Sequence, residues 1–160
     1  MSLPAPPDVA VLHASAVAIR SRGILILGPS GSGKSALALD LISRGAELVA
    51  DDRVVLRGSG GALRLSPPEA IAGLIEARGI GLLKLPFAEA VRPVVAVDLG
   101  QSTSARLPQC GTFRINSLCL PLIAGANAPN LPSTLFAGVN ASERFPLYDA
   151  DMGDQRDDGT

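Results

Sequence analysis

The residues Gly28-Pro29-Ser30-Gly31-Ser32-Gly33-Lys34-Ser35 carry the clearest chemistry in this chain. In the spacing Gly-x4-Gly-Lys-Ser, glycines let successive backbone N–H groups turn inward around phosphate oxygens. The lysine reaches the terminal phosphates of a nucleotide, and the hydroxyl after it can be placed on Mg²⁺. The chain has twelve arginines and only two lysines, Lys34 and Lys84, yet one lysine stands where such a loop needs it. The alternative is a flexible glycine-serine turn with a chance lysine, which would not require the flanks described below.

Further along, Asp51-Asp52 ends the apolar run Glu47 to Ala50. A carboxylate pair beside a phosphate loop can hold a metal and accept the proton of an attacking hydroxyl. Taken alone, the pair is equally an ordinary strand-to-turn acidic pair. Glu76 and Arg78, within Leu74-Ile75-Glu76-Ala77-Arg78-Gly79-Ile80-Gly81, could serve metal and phosphate, or could form a solvated helix end. His13 is the only histidine, and a lone histidine in a strand is usually structural or exposed. Arg106 carries little signal of its own.

These residues need elements to position them. Val9 to Val17 reads as a strand, and Ser21-Arg22-Gly23 as a turn. Ile24 to Leu27 is a short apolar run, as expected of a strand buried on both faces. Ser35 to Ser43 is rich in alanine and leucine, and Gly45 stands where a helix would be capped. A buried strand, a glycine-rich loop and a strong helix in that order give the loop a helix N-terminus to hold an anion. Arg53–Arg57 and Ala62–Leu65 flank Gly58-Ser59-Gly60-Gly61 and predict a hairpin. Glu69 to Glu76 reads as a short helix or turn. Val91 to Leu99 reads as a strand, with Pro93 pointing to an edge or a strand start. Phe113 to Leu122 can hold another strand. The fold class expected is α/β, a single P-loop nucleotide-binding domain over residues 9–140. Residues 1–8 form a flexible proline-rich lead, and 141–160 an acidic, disordered tail.

Length and composition fit one globular domain: 160 residues, 47% hydrophobic and 18% charged. A net charge of −1 supports neither a nucleic-acid footprint nor an anionic membrane surface, so any recognition of phosphate is local. No apolar run is long enough to cross a bilayer as a helix. The N-terminus lacks the pattern of a secretory signal, and Cys110 and Cys119 have no metal or redox spacing, so a cytoplasmic protein with reduced thiols is expected.

Taken together, these motifs resemble the HPr kinase/phosphorylase family. The resemblance begins at Leu12-His13-Ala14-Ser15 and continues through the phosphate loop. It takes in the stretch Leu41-Ile42-Ser43-Arg44-Gly45-Ala46-Glu47-Leu48-Val49-Ala50-Asp51-Asp52-Arg53-Val54, and then Ile75-Glu76-Ala77-Arg78-Gly79-Ile80-Gly81. It implies the phosphoenolpyruvate carboxykinase-like kinase fold, with ATP and Mg²⁺ as cofactors. The implied partner is HPr, a phosphocarrier protein phosphorylated on serine. The reverse reaction uses inorganic phosphate and releases pyrophosphate, and members are commonly homo-oligomers, often hexamers. By the same resemblance Asp52 is the base toward the seryl hydroxyl, and the acid in reverse. Asp51 assists it and belongs to the nucleotide site with Gly28, Pro29, Ser30, Gly31, Ser32, Gly33, Lys34 and Ser35. Ser35 and Glu76 hold Mg²⁺, and His13, Lys34 and Arg106 contact phosphate.

Three departures from the family pattern are expected to matter. His13 lies almost at the start, with no separate N-terminal domain before it. The segment Pro121-Leu122-Ile123-Ala124-Gly125-Ala126-Asn127 resembles the loop tied to dephosphorylation, but has no arginine near Ala126. A C-terminal helix for gripping HPr is not recognisable in the tail. Two other readings stay open on the residues alone: a P-loop small-molecule kinase, and a non-catalytic ATP-binding regulatory module.

Overall fold

The computed structural model describes residues 9–59, 62–108 and 111–146. The expected N-terminal lead lies outside them. The strands are β1 (Val9–Leu12), β2 (Ser15–Ile19), β3 (Arg22–Leu27), β4 (Glu47–Ala50), β5 (Val54–Ser59), β6 (Ala62–Ser66), β7 (Leu74–Ala77), β8 (Gly81–Lys84), β9 (Arg92–Asp98), β10 (Gly111–Ile115) and β11 (Leu118–Ala124). Helix α1 spans Lys34–Ser43 and α2 spans Leu131–Ala141.

Six strands form the central sheet in the order β10-β11-β9-β3-β2-β4. β3, β9 and β11 are mutually parallel, while β2 runs antiparallel to both β3 and β4. It follows that β4 points the same way as β3. The C-terminal ends of β3, β4, β9 and β11 and the N-terminal end of β2 therefore share one edge of the sheet.

The sheet is buried on both faces, and its two faces carry different residues. Val17, Ile19, Ile24, Ile26, Val95 and Val97 pack against α1 and α2. Ala14, Ala16, Ala18, Ala50 and Ala96 turn to the other side. Their short side chains admit a second sheet, β1-β5-β6, which contributes Val54, Leu56, Leu63 and Leu65. Period-2 alternation along each strand sorts the two sets. Helix α1 closes with Gly45 N–H on Ile42 O at 3.0 Å and Ala46 N–H on Leu41 O at 3.0 Å, the paired bonds of a Schellman cap.

Several local expectations are corrected. The single strand expected over Val9–Val17 is two strands broken at His13-Ala14. β1 pairs with β5 in the outer sheet and β2 with β3 and β4 in the central one, so the chain changes sheet at His13. The helix or turn expected over Glu69–Glu76 is one 3-10 turn, Glu69–Ile71, followed by β7, so Glu76 belongs to a β-hairpin. Gly73 separates the two with φ 80, and its backbone lies against Leu85 O. β9 is no edge strand, because β3 and β11 flank it. Pro93 is accommodated at its start, where the register with β3 shifts. Phe113–Leu122 is a hairpin of two strands, and α2 was not anticipated. Of the expected tail, residues 147–160 lie outside the described residues. Before them, Glu143 pairs with Arg92 at 2.6 Å and Phe145 packs on the core, so the packed chain runs past residue 140.

Candidate functional site

The shared edge of the sheet gathers the sequence-predicted residues. The loop 28–33 leaves β3 and enters α1, the pair Asp51-Asp52 leaves β4, and His13 precedes β2.

Gly28 (φ 148) turns the chain out of β3, and a Cβ there would stand 2.5 Å from Ser32 Oγ. Helix α1 begins after Gly33 with no side-chain cap, so its first N–H groups remain for a ligand. Lys34 is only 8% exposed, and its ammonium donates to Gly28 O at 2.8 Å and Pro29 O at 3.1 Å. It has no carboxylate partner among the described residues. A cation held this way calls for an anion. Ser32 Oγ is buried and unpartnered. At Gly31 and Gly33 an added Cβ would meet no protein atom within 4 Å, so there is open space along the loop. A nearly buried ammonium, an orphan hydroxyl, free helix N–H groups and open space fit the polyphosphate of a nucleotide.

Asp51 is the hub beside the loop. It is 7% exposed. Its Oδ1 accepts from Ser35 Oγ–H at 2.7 Å and from Ser15 Oγ–H at 2.7 Å. Its Oδ2 accepts from the backbone N–H of Glu76 at 3.2 Å. Asp52 points the other way. Its φ is 69, and Arg53 N–H closes a three-residue turn onto Asp51 O at 2.8 Å. Left-handed backbone at a residue other than glycine is unusual and clusters at functional sites. The turn gives the two neighbouring carboxylates opposite surroundings: Asp51 inside, Asp52 at the surface. Asp52 Oδ1 meets His13 Nε2 at 3.1 Å, and both side chains are more than half exposed.

Glu76 projects outward from β7 between the buried Ile75 and Ala77, and its backbone touches Asp51. No cluster of three or more His, Cys, Asp or Glu side chains suited to a metal occurs among the described residues. Ser35 by its hydroxyl and Glu76 by its backbone N–H both contact Asp51, and the Ser35 oxygen and the Glu76 carboxylate are the candidate metal ligands of the sequence. Arg106 is exposed on the loop after β9, which leaves the same edge, and bonds to none of the others.

Two features escaped the sequence reading. Ser15 was noticed only as part of the His13 segment, although its hydroxyl joins Asp51. The loops after β9 and β11 are laced together. Asp98 O accepts from Gly125 N–H at 2.9 Å, Gln101 O accepts from Ala126 N–H at 2.8 Å, and Asn127 exchanges bonds with the Thr103 backbone at 2.8 and 3.1 Å. Only the strand order reveals either feature.

Comparison with known proteins bears on the family and the fold. The family model for the HPr Serine kinase C-terminal domain matches residues 7–94. An HPr kinase/phosphorylase of Clostridium botulinum (strain Eklund 17B) is 49% identical over 72 residues, covering 45% of this chain and 24% of that protein. The HPr kinase/phosphorylase of Caldanaerobacter subterraneus is 44% identical over 92 residues, covering 55% of this chain and 30% of that one. The chain thus spans less than a third of the length of these curated relatives. The solved structure of the Hpr(Ser) kinase/phosphatase from Coxiella burnetii superposes with a TM-score of 0.70 at 28% identity, covering 82% of this chain and 89% of that one. The mixed α/β domain is therefore the P-loop kinase fold, and the chain belongs to the HPr serine kinase C-terminal domain family.

Proposed function

We propose that this chain is an ATP-dependent serine kinase acting on an HPr-like phosphocarrier, and that it also runs the reverse phosphorolysis. One observation carries the reading: a 2.7 Å hydrogen bond from Ser35 to Asp51 joins the phosphate loop to the turn that presents Asp52. The nucleotide site and a surface carboxylate are thereby fixed to each other. A protein hydroxyl can approach only a surface group, and Asp52 is one.

Lys34 and the loop N–H groups hold the phosphates. Ser35 and Glu76 hold Mg²⁺, which when bound offsets charge on the transferring group. Asp52 accepts the proton of the seryl hydroxyl as its oxygen bonds to the γ-phosphorus and the bond to ADP breaks. His13 holds the Asp52 carboxylate and faces the transferring phosphoryl group. Arg106, carried on a loop at the same edge, contacts phosphate. In reverse, an oxygen of inorganic phosphate bonds to the phosphorus of phosphoserine as the seryl O–P bond breaks, Asp52 in its protonated form gives the seryl oxygen its proton, and pyrophosphate is released. Charge placement and positioning supply most of such catalysis.

ATP supply sets this reaction in the cytoplasm. No helix among the described residues is long and apolar enough to cross a membrane. A homo-oligomer is the assembly proposed. The test is incubation with Mg²⁺, ATP and HPr, followed by intact-mass measurement. A gain of one phosphoryl group on a serine of HPr is expected. An unmodified HPr with ATP consumed only by a small-molecule acceptor would replace this reading with a metabolite kinase.

A further inference from the structure

We infer that Ser15 is a positioning residue of the nucleotide site, acting through Asp51 on the hydroxyl of Ser35. The inference rests on the reading of the loop as a magnesium-nucleotide site.

Ser15 is fully buried at the start of β2, whose other residues are all apolar. A hydroxyl in such a place costs free energy unless it is bonded. Its bond goes to the same carboxylate oxygen that receives Ser35. With Glu76 N–H on Oδ2, Asp51 is held from three separate elements: β2, α1 and β7.

The consequence is directional. A hydroxyl has one proton and two lone pairs. Because Ser35 gives its proton to Asp51, its lone pairs are free to face the loop, where a cation beside the phosphates would lie. Asp51 can play this part only if it does not turn toward the cation itself. Ser15 shares Oδ1 with Ser35, and Glu76 N–H sits on Oδ2, so bonds from β2 and β7 fix the carboxylate in the orientation that receives the Ser35 hydroxyl. Removing the Ser15 hydroxyl frees the carboxylate to rotate and loosens the orientation of Ser35. Partners of this kind, one bond removed from a metal ligand, typically change metal affinity about 10- to 100-fold when lost.

The experiment is calorimetry of ATP binding with and without Mg²⁺ on the purified chain, for the parent, Ser15→Ala, Ser35→Ala and the double variant, with thermal melting of each. In the parent, Mg²⁺ should tighten ATP binding. In Ser15→Ala the Mg²⁺-dependent gain should shrink about tenfold, with Mg²⁺-free binding unchanged. In the Ser35→Ala background, Ser15→Ala should cause no further loss, because Ser15 acts only through Ser35. Ser15→Cys keeps a weak donor and similar volume, and should fall between parent and alanine; it also serves if the alanine variant does not fold. A Mg²⁺ gain in Ser15→Ala or Ser15→Cys equal to the parent's would overturn the inference, as would full additivity in the double variant. A parent that binds no ATP with or without Mg²⁺ would instead overturn the nucleotide-site reading itself.

Discussion

His13 Nε2 and Asp52 Oδ1 lie 3.1 Å apart although 39 positions separate the residues in sequence. β2 and β4 are neighbours, so the second residue before one and the second residue after the other meet at the same sheet edge. The Ala14 N–H to Asp52 O bond at 3.2 Å fastens the two segments. His13→Ala should therefore lower transfer. It should barely change stability, since a polar pair this exposed contributes less than about 1 kcal/mol. Urea unfolding of parent and variant checks this; a large fall in the midpoint would mean that the pair is structural.

Asp52→Asn should leave MgATP affinity near that of the parent and lower transfer to serine by roughly 10²- to 10⁴-fold, the usual size of a lost general base. The carboxamide keeps a contact to His13 but cannot take the proton. Rapid-quench measurement of phosphoserine formation separates this from a binding defect. A variant at near-parental rate would place the base elsewhere.

Lys34→Ala should weaken ATP binding by about 1.5–3 kcal/mol, the range for hydrogen bonds to a charged group, or roughly 10- to 100-fold. The ammonium already bonds Gly28 O and Pro29 O, so its removal also leaves the loop without an internal clasp. Unchanged affinity in calorimetry would refute the phosphate-loop assignment.

Gly28→Ala should abolish nucleotide binding with the rest of the fold retained. The added Cβ would meet Ser32 Oγ at 2.5 Å and Leu99 Cβ at 3.2 Å, and the φ of 148 is hostile to any side chain. Circular dichroism should remain that of the parent while ATP binding disappears. Binding within about threefold of the parent would show that the loop adapts.

Ala126→Arg should raise the phosphorolytic direction more than the kinase direction. Inorganic phosphate beside a phosphoserine brings two anions together, and an arginine fork offsets that repulsion. Ala126 is exposed, and its backbone bonds Gln101 O at 2.8 Å, so a long side chain there enters solvent without displacing the core. Pyrophosphate release from serine-phosphorylated HPr, titrated with phosphate, gives the readout. Rapid release by the unmodified chain at low millimolar phosphate, with no gain from the arginine, would show that this loop does not set direction.

The sequence by itself determined the parts whose signals are local. The β3–loop–α1 unit was legible because backbone conformation, phosphate chemistry and helix propensity all act within sixteen residues, Gly28 through Ser43. The β5–β6 hairpin was legible from its glycine turn between alternating apolar residues. Lys34 and Ser35 were candidates on local spacing alone, whereas Asp51-Asp52 drew its candidacy from standing soon after the phosphate loop. Only the tertiary structure decided how these parts face one another. That Glu76 is on a strand depended on the pairing of β7 with β8 and on Gly73, and a run of four residues is too short for periodicity to separate strand from helix. The place of β9 in the middle of the sheet followed from packing against β3 and β11, which outweighed the cost of Pro93 at its start. The split between an inward Asp51 and an outward Asp52 came from a backbone turn that no residue type announces. The convergence of Ser15 and Ser35 on one carboxylate oxygen came from strand order, because hydrogen bonds act over about 3 Å of space whatever the distance along the chain.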